Sequence, residues 1–175
     1  MNSYFQDNLK LTLKIFVLPI NFKYIDMSNN NFINYSFELG MHKTRIPLIG
    51  IFCKEIPDPL IFIVDTGSNA SLMFPNAYTR LNESIKILEW KNKLMGVDGI
   101  QNETTMSEVN FYIGESNFTH QFELFDSTDV VESFSNGSNI EVHGILGTDF
   151  LMKHDVTLDY STFEMKIHNL NSHNQ

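Results

Sequence analysis

Residues 60–68 have the sequence LIFIVDTGS, in which an apolar run ends at a carboxylate. The run, Leu60–Val64, is too short for a typical helix and is rich in β-branched side chains, which predicts a strand buried on both faces. Asp65 follows directly. The turn after it consists of Thr66, Gly67 and Ser68. Because an ionised carboxylate at the end of a buried strand is costly unless it is hydrogen-bonded or used in chemistry, this stretch is the first candidate functional site.

Two interpretations explain an aspartate at this position. In the first, Asp65 is an ordinary turn residue that bonds its own backbone, and Gly67 supplies the backbone conformation. In the second, the loop presents the Asp65 carboxylate in a partly desolvated site, and Gly67 and Ser68 donate hydrogen bonds that hold its oxygens. The residues of this stretch alone leave both interpretations open.

A second informative stretch is HGILGTDFL, residues 143–151. It contains two hydrophobic residues followed by a glycine, namely Ile145, Leu146 and Gly147. We expect a short helix from Thr148 or Asp149 to about His154, because an aspartate near a helix N-terminus stabilises the unpaired backbone amides there.

The two stretches together resemble the aspartic protease family. Residues 63–71 match its motif of two hydrophobic residues followed by Asp-Thr-Gly-Ser/Ala, and residues 143–151 resemble the hydrophobic-hydrophobic-Gly segment and short helix of each catalytic lobe. Their order and separation resemble those of a retropepsin-like domain, over approximately residues 35–167. The resemblance implies an all-β fold, a retropepsin-like closed β-barrel with one short C-terminal helix.

The resemblance also implies an aspartic endopeptidase. In that family two carboxylates share one proton, so that one activates a water molecule while the other protonates or hydrogen-bonds the substrate carbonyl. Asp65 would then be the catalytic residue, and Thr66 would lock two loops together across the pair. The Gly67 carbonyl would contact the substrate backbone, and Ser68 would support the carboxylate.

The chain contains a single Asp-Thr-Gly, so one chain supplies one catalytic carboxylate. Residues 126–128, Asp-Ser-Thr, lack the glycine and are not accepted as a second copy. An active protease therefore requires a homodimer with a two-fold axis beside Asp65, acting on extended polypeptide. The alternatives are a non-catalytic protease-like domain that binds peptides or dimerises, and an unrelated β-barrel in which Asp65 is a turn residue.

A flap over the site is a further expectation, because the carboxylates must be shielded from bulk water during the reaction. Between the two motifs, residues 95–100 have the sequence MGVDGI, whose glycines suit a mobile hairpin tip close to a substrate backbone. An ordinary tight turn explains the sequence equally well. The candidate substrate-binding residues are Gly96, Val97, Asp98 and Gly99.

Three hairpins are predicted from short β-rich segments separated by turn signals. The first joins residues 35–39 to 45–52 through a turn at 40–43, the second joins 108–113 to 117–125, and the third joins 156–160 to 163–167. We expect residues 1–33 to be an N-terminal extension and linker with no assigned role, residues 34–168 to be the retropepsin-like domain, and residues 169–175 to be a polar tail.

Composition excludes several other classes of function. With 12 Lys and Arg against 21 Asp and Glu, the net charge of −9 disfavours nucleic acid as a partner. The single cysteine and six scattered histidines lack the spacing of metal ligands, so we expect neither a metal site nor another cofactor. Lys10 and Lys14 interrupt the apolar residues 9–22, which argues against an export signal and against a membrane span. The absence of disulfides favours a cytoplasmic location.

Overall fold

Two β-sheets and four helices are formed by residues 24–25, 32–81, 84–95 and 101–168, which are the residues that the computed structural model describes. The strands are β1 Tyr24–Ile25, β2 Phe32–Ser36, β3 Leu48–Ile51, β4 Leu60–Val64, β5 Leu72–Met73, β6 Ile85–Met95, β7 Gln101–Ile113, β8 Ser116–Leu124, β9 Gly144–Leu146, β10 Thr157–Asp159 and β11 Glu164–His168. The helices are α1 Glu38–Thr44, α2 Pro75–Tyr78, α3 Thr128–Ser138 and α4 Thr148–Lys153.

The larger sheet has the strand order β3-β4-β9-β5-β8-β7-β6, and the smaller sheet has the order β1-β2-β11-β10. In the larger sheet β9 lies between β4 and β5, two strands that are consecutive in the chain. It runs parallel to β4, with Ile145 opposite Ile63, and antiparallel to β5, with Ile145 opposite Leu72. The loop of residues 65–71, which joins β4 to β5, must therefore cross the end of β9.

Apolar side chains bury β4 on both faces, as its sequence predicts. Leu60, Phe62 and Val64 belong to the larger apolar cluster, whereas Ile61 belongs to a second cluster and Ile63 packs against it. The larger cluster includes β2 and β11 residues of the smaller sheet, namely Ile33, Tyr35, Met165 and Ile167. The two sheets are thus packed together through the core that holds the strand before Asp65.

Two of the three predicted hairpins are present. β7 and β8 pair antiparallel around a turn in which Gly114 has a φ of 59°. β10 and β11 also pair antiparallel, with Leu158 opposite Met165. In both cases the alternation of apolar and polar residues defines the buried face.

The first predicted hairpin is wrong, because residues 38–44 form α1 in place of a turn. Met41 packs against the larger apolar cluster, and the helix ends at Arg45, whose φ of 60° is left-handed. Gly40 allows this helix to lie against β3, since a Cβ there would be 2.9 Å from the backbone nitrogen of Leu48. β2 pairs with β11 instead of with β3.

The prediction of one short helix needs correction, and the predicted closed barrel is not confirmed. α4 is present as predicted, but α1, α2 and α3 occur as well, and the described residues form two sheets without a closed barrel. α3 was missed because its sequence is mostly polar; Val131 and Phe134 nevertheless pack against the second apolar cluster. The fold is mostly β with several short helices.

The smaller sheet includes residues on the N-terminal side of the predicted boundary at residue 34. Phe32 and Ile33 are part of β2 and lie opposite His168 and Ile167 of β11. β1 pairs with β2 in turn. Residues 1–23, 26–31 and 169–175 lie outside the described residues, and so does most of the predicted extension and the polar tail. No helix among the residues that are described has both the length and the apolar character needed to cross a bilayer.

His143 and His154 are among the buried histidines of the fold. His143 accepts a hydrogen bond from the Ile61 amide through Nδ1, at 3.0 Å. His154 packs against Phe150 and Phe118, and neither of its ring nitrogens has a hydrogen-bond partner among the residues that the structure describes. Burial lowers the pKa of each histidine to about 4. Both are therefore neutral in the folded chain near neutral pH.

We predict that the free energy of unfolding falls as the pH is lowered from about 6.5 to about 4, because the unfolded chain then binds protons that the folded chain excludes. Above pH 6.5 both states are neutral at these positions and the effect disappears. Each histidine should destabilise the fold by about 2 kcal/mol at pH 5. Urea unfolding at pH 7 and pH 5 measures this change.

His154→Phe is the matched variant, because it keeps an aromatic ring in the pocket and removes the titrating group. It should reduce the loss of stability between pH 7 and pH 5 by about 2 kcal/mol relative to the wild type. An identical pH dependence in the two proteins would contradict this explanation.

Candidate active site

Asp65 lies at the end of β4, at the beginning of the loop that crosses β9. Its amide donates to the Leu146 carbonyl of β9 at 3.1 Å, so the backbone at Asp65 continues the pairing of the two strands. Its side chain is half-buried and Oδ1 accepts a hydrogen bond from the Gly67 amide at 2.8 Å. Thr66 and Gly67 are exposed at the tip of the loop. The carboxylate is thus presented at an accessible surface by a strand fixed in the core.

The bond from Gly67 agrees with both interpretations of the sequence, since a turn aspartate and a held catalytic carboxylate each require it. Ser68 differs from the expectation. Its hydroxyl donates to the Ala70 carbonyl at 2.7 Å and not to the Asp65 carboxylate, because the loop turns back on itself at this point. The Ser68 amide donates to the Asp65 carbonyl, at 3.3 Å. Ser68 therefore supports the loop and not the carboxylate.

The second motif contacts this loop directly. Ile145 and Leu146 lie in β9, and Gly147 is the residue at which the chain turns into α4. Thr148 donates to the Ser68 carbonyl twice, from its amide at 2.8 Å and from Oγ1 at 3.1 Å. The two motifs that the sequence separates by about 80 residues are therefore in contact.

Gly147 marks the closest approach between the two segments. A Cβ at this position would lie 3.0 Å from the Ser68 carbonyl oxygen and 2.6 Å from the Ala70 carbonyl carbon. The Gly147 amide donates to Ser71 Oγ at 3.1 Å. The glycine is required here because the backbone of the Asp65 loop occupies the space that a side chain would need.

A polar cluster under the loop was not predicted. Ser71 donates to Asp149 twice, from Oγ to Oδ1 at 2.7 Å and from its amide to Oδ2 at 3.0 Å. His120 Nε2 lies 3.1 Å from Ser71 Oγ and 3.2 Å from Asp149 Oδ2. The signal in the sequence was a histidine at an inward position of β8, between Phe118 and Phe122 in the alternation.

Asp149 is held in its ionised form by this cluster. Partial burial acts to raise the pKa of Asp149, but the hydrogen bonds from His120 and Ser71 outweigh it and the pKa is lowered. Asp149 Oδ1 also accepts a hydrogen bond from the Phe150 amide at 2.8 Å. Asp149 therefore also binds a backbone amide at the start of α4, as the sequence predicted. The carboxylate joins the loop, the helix and β8.

An open cavity of about 540 Å³ lies beside the loop. Loop residues 69–71, β6, β7, β8 and α4 line it, and its charged side chains are Glu108, Glu123, Asp149 and Lys153. The β6–β7 hairpin continues towards residues 96–100, which lie outside the described residues. Among these are the four candidate flap residues Gly96, Val97, Asp98 and Gly99, so the flap stays a prediction.

The rejected second copy at residues 126–128 and the single cysteine both lie in ordinary structural surroundings. Asp126 is exposed, and its Oδ1 accepts hydrogen bonds from the Thr128 amide and hydroxyl before α3. Cys53 is buried, and burial raises the pKa of its thiol to about 12. In the part of the chain that is described, no three His, Cys, Asp or Glu side chains are grouped so that they could hold a metal ion.

Solved structures that are similar to this chain include three proteases or protease-like domains. The EIAV protease in complex with the inhibitor HBY-793 is 21% identical, with a TM-score of 0.39, over 63% of this chain and 88% of that one. The retroviral protease-like domain of Ddi1 from Leishmania major is 13% identical, with a TM-score of 0.47, over 71% and 90% of the two chains. A retropepsin-like aspartic protease from Rickettsia conorii is 13% identical, with a TM-score of 0.46, over 78% and 89%. No family model and no curated protein matches the sequence.

Gly147→Ala should destabilise the protein by about 1–3 kcal/mol, because the added methyl group would overlap the backbone of the Asp65 loop. Gly137→Ala is the matched control: it lies in α3, where nothing is within 4 Å of the added Cβ. Alanine there should stabilise the helix by up to about 1 kcal/mol. Chemical denaturation of both variants measures the difference, and equal stability would contradict the close approach.

Proposed function

We propose that this chain is an aspartic endopeptidase of the retropepsin-like type that acts as a homodimer, with one Asp65 from each chain. The observation that carries the proposal is the half-buried carboxylate of an Asp-Thr-Gly-Ser loop, fixed at the end of a core strand and presented at an exposed tip. Several hydrogen bonds between this loop and residues 146–149 hold it in place. A turn that served only the fold would not need an accessible carboxylate on a loop held so firmly.

Dimerisation follows from the chemistry of the carboxylates. A lone carboxylate cannot act as acid and base in the same step, whereas two that lie close together share one proton and divide the two roles. The exposed tip at Thr66 and Gly67 allows a second copy to approach about a two-fold axis. Thr66 is proposed to contact the partner loop.

The reaction proceeds by direct attack of water on the peptide. The ionised carboxylate removes a proton from the water, whose oxygen bonds to the carbonyl carbon while the protonated carboxyl group gives its proton to the carbonyl oxygen. In the second step the carboxyl group that took up the water proton donates it to the amide nitrogen as the C–N bond breaks. The other carboxylate accepts a proton from one hydroxyl of the diol, which becomes the carbonyl of the new carboxyl group. The pair is thus again singly protonated at the end of the cycle.

The substrate is proposed to be an extended polypeptide. The Gly67 amide donates to the Asp65 carboxylate, and the Gly67 carbonyl is proposed to accept a hydrogen bond from the substrate backbone. The cavity beside residues 69–71 offers about 540 Å³ for substrate side chains. Residues 96–99 are proposed to close over the bound peptide from the end of the β6–β7 hairpin.

Asp65→Asn should lower the rate of peptide hydrolysis by at least about 100-fold while the protein stays folded and dimeric, because an amide cannot act as the base. Cleavage of an unfolded protein substrate measures the rate. Asp126→Asn is the matched control: its carboxylate is exposed and the amide keeps the Oδ1 acceptor for Thr128. Full activity in the Asp65 variant would eliminate the assignment. Wild-type protein that forms dimers and cleaves nothing would instead favour the non-catalytic binding module.

Sedimentation should give a mass twice that of the monomer. In a separate peptide-cleavage assay, the activity per chain should fall when the protein is diluted below the dissociation constant of the dimer. Catalysis that depends on two chains becomes second-order in protein at that concentration. A monomer that keeps its full specific activity on dilution would contradict a shared site.

A further inference from the structure

His120 is buried without a part in the chemistry proposed above. It lies in β8 with 5% of its surface exposed, on the inward face that also carries Phe118 and Phe122. A polar ring in this position is unfavourable unless its nitrogen atoms are hydrogen-bonded. Its burial therefore needs an explanation from its contacts.

The Nε2 atom of His120 contacts both the end of the Asp65 loop and the start of α4. Nε2 lies 3.1 Å from Ser71 Oγ and 3.2 Å from Asp149 Oδ2. Ser71 ends the loop that Asp65 begins, and Asp149 lies in the first turn of α4. The imidazole thus connects β8 to the second end of the catalytic loop and to the helix that packs behind it.

Neighbouring aromatic rings fix the direction of this contact. The centroid of the His120 ring lies 5.2 Å from that of Phe122, with an interplanar angle of 89°, and 5.2 Å from that of Phe150, with an angle of 82°. These edge-to-face contacts hold the ring on both sides. In this orientation of the ring, Nε2 points at the Ser71–Asp149 pair.

We propose that His120 is a positioning residue for Asp65, an inference that rests on the function proposed above. The first end of the loop is fixed by the bond from the Asp65 amide to the Leu146 carbonyl. The other end is fixed at Ser71, whose hydroxyl donates to Asp149 and accepts from the Gly147 amide. His120 fixes the Ser71 hydroxyl and the Asp149 carboxylate relative to each other. It thereby determines where the loop presents the Asp65 carboxylate to the partner chain.

The two-carboxylate reaction makes this position critical. The two Asp65 groups must lie close enough to share a proton, and a displacement of about 1 Å in a catalytic group can reduce the rate about 100-fold. A peptide bound across the loop is less sensitive, because it makes many contacts with each chain. Loss of the His120 contact should therefore reduce kcat more than it raises KM.

The test compares two substitutions in the full chain. His120→Phe keeps the ring packing and removes Nε2, whereas His120→Gln keeps a side-chain amide that can donate to Asp149. We expect kcat to fall at least about tenfold in His120→Phe with KM changed less than about threefold, and to recover substantially in His120→Gln. The control is His42→Phe, an exposed histidine paired with Glu38 on α1, which should keep the wild-type constants. An unchanged kcat in His120→Phe, or a loss confined to KM, would overturn the proposal.

Amide hydrogen exchange gives a readout that does not depend on activity. The amides of Gly147 and Thr148 donate to Ser71 and Ser68, so they should exchange at least about tenfold faster in His120→Phe. The Val64 amide, bonded to the Pro47 carbonyl, should be unchanged. If the wild type does not cleave peptides but exchange is faster in His120→Phe, the proposed function is rejected and the link between His120 and the Asp65 loop is retained. Unchanged exchange at Gly147 and Thr148 would reject the positioning role. If His120→Phe does not fold, the same comparison is made with His120→Gln, in which intermediate exchange is expected.

Discussion

The contact between the Asp65 loop and the turn that leads from β9 into α4 is the constraint on which the rest of the structure depends. β9 passes between two strands that are consecutive in the chain, so the loop joining them has to cross its end. Gly147 permits the crossing because no side chain separates the two backbones. The carboxylate is accessible at the surface, yet the strand before it and the residues beneath it are held in the core.

Individual strands and the short helix could be predicted from the sequence, whereas the contacts between distant segments could not. The apolar run at β4, the alternation in β7 and β8, and the short helix after Gly147 depend on neighbouring residues, so each could be predicted from the pattern. α1 and α3 were missed because few of their residues are apolar, and their formation depends on packing against distant strands. The bonds between residues 65–71 and 146–149 join positions about 80 residues apart, which no periodicity reveals.

Histidines have two different roles in this fold. His143 and His154 are buried and neutral, and their lowered pKa values destabilise the folded chain as the pH falls. A reaction that needs one protonated carboxyl group in a pair is favoured by acid. Acid therefore favours the proposed reaction but destabilises the fold, and we expect this opposition to limit the acidic end of the working range. His120, in contrast, stabilises the ionised Asp149 beneath the loop.

Subunit mixing tests the shared site most directly. Wild-type chains are allowed to exchange with about a ninefold excess of Asp65→Asn chains, so that about nine tenths of the wild-type chains are paired with an inactive partner. If each active site needs one Asp65 from each chain, the activity per wild-type chain should fall to about one tenth of its unmixed value. Activity that stays constant as the variant is added would show that Asp65 acts within one chain, and would contradict the homodimeric mechanism.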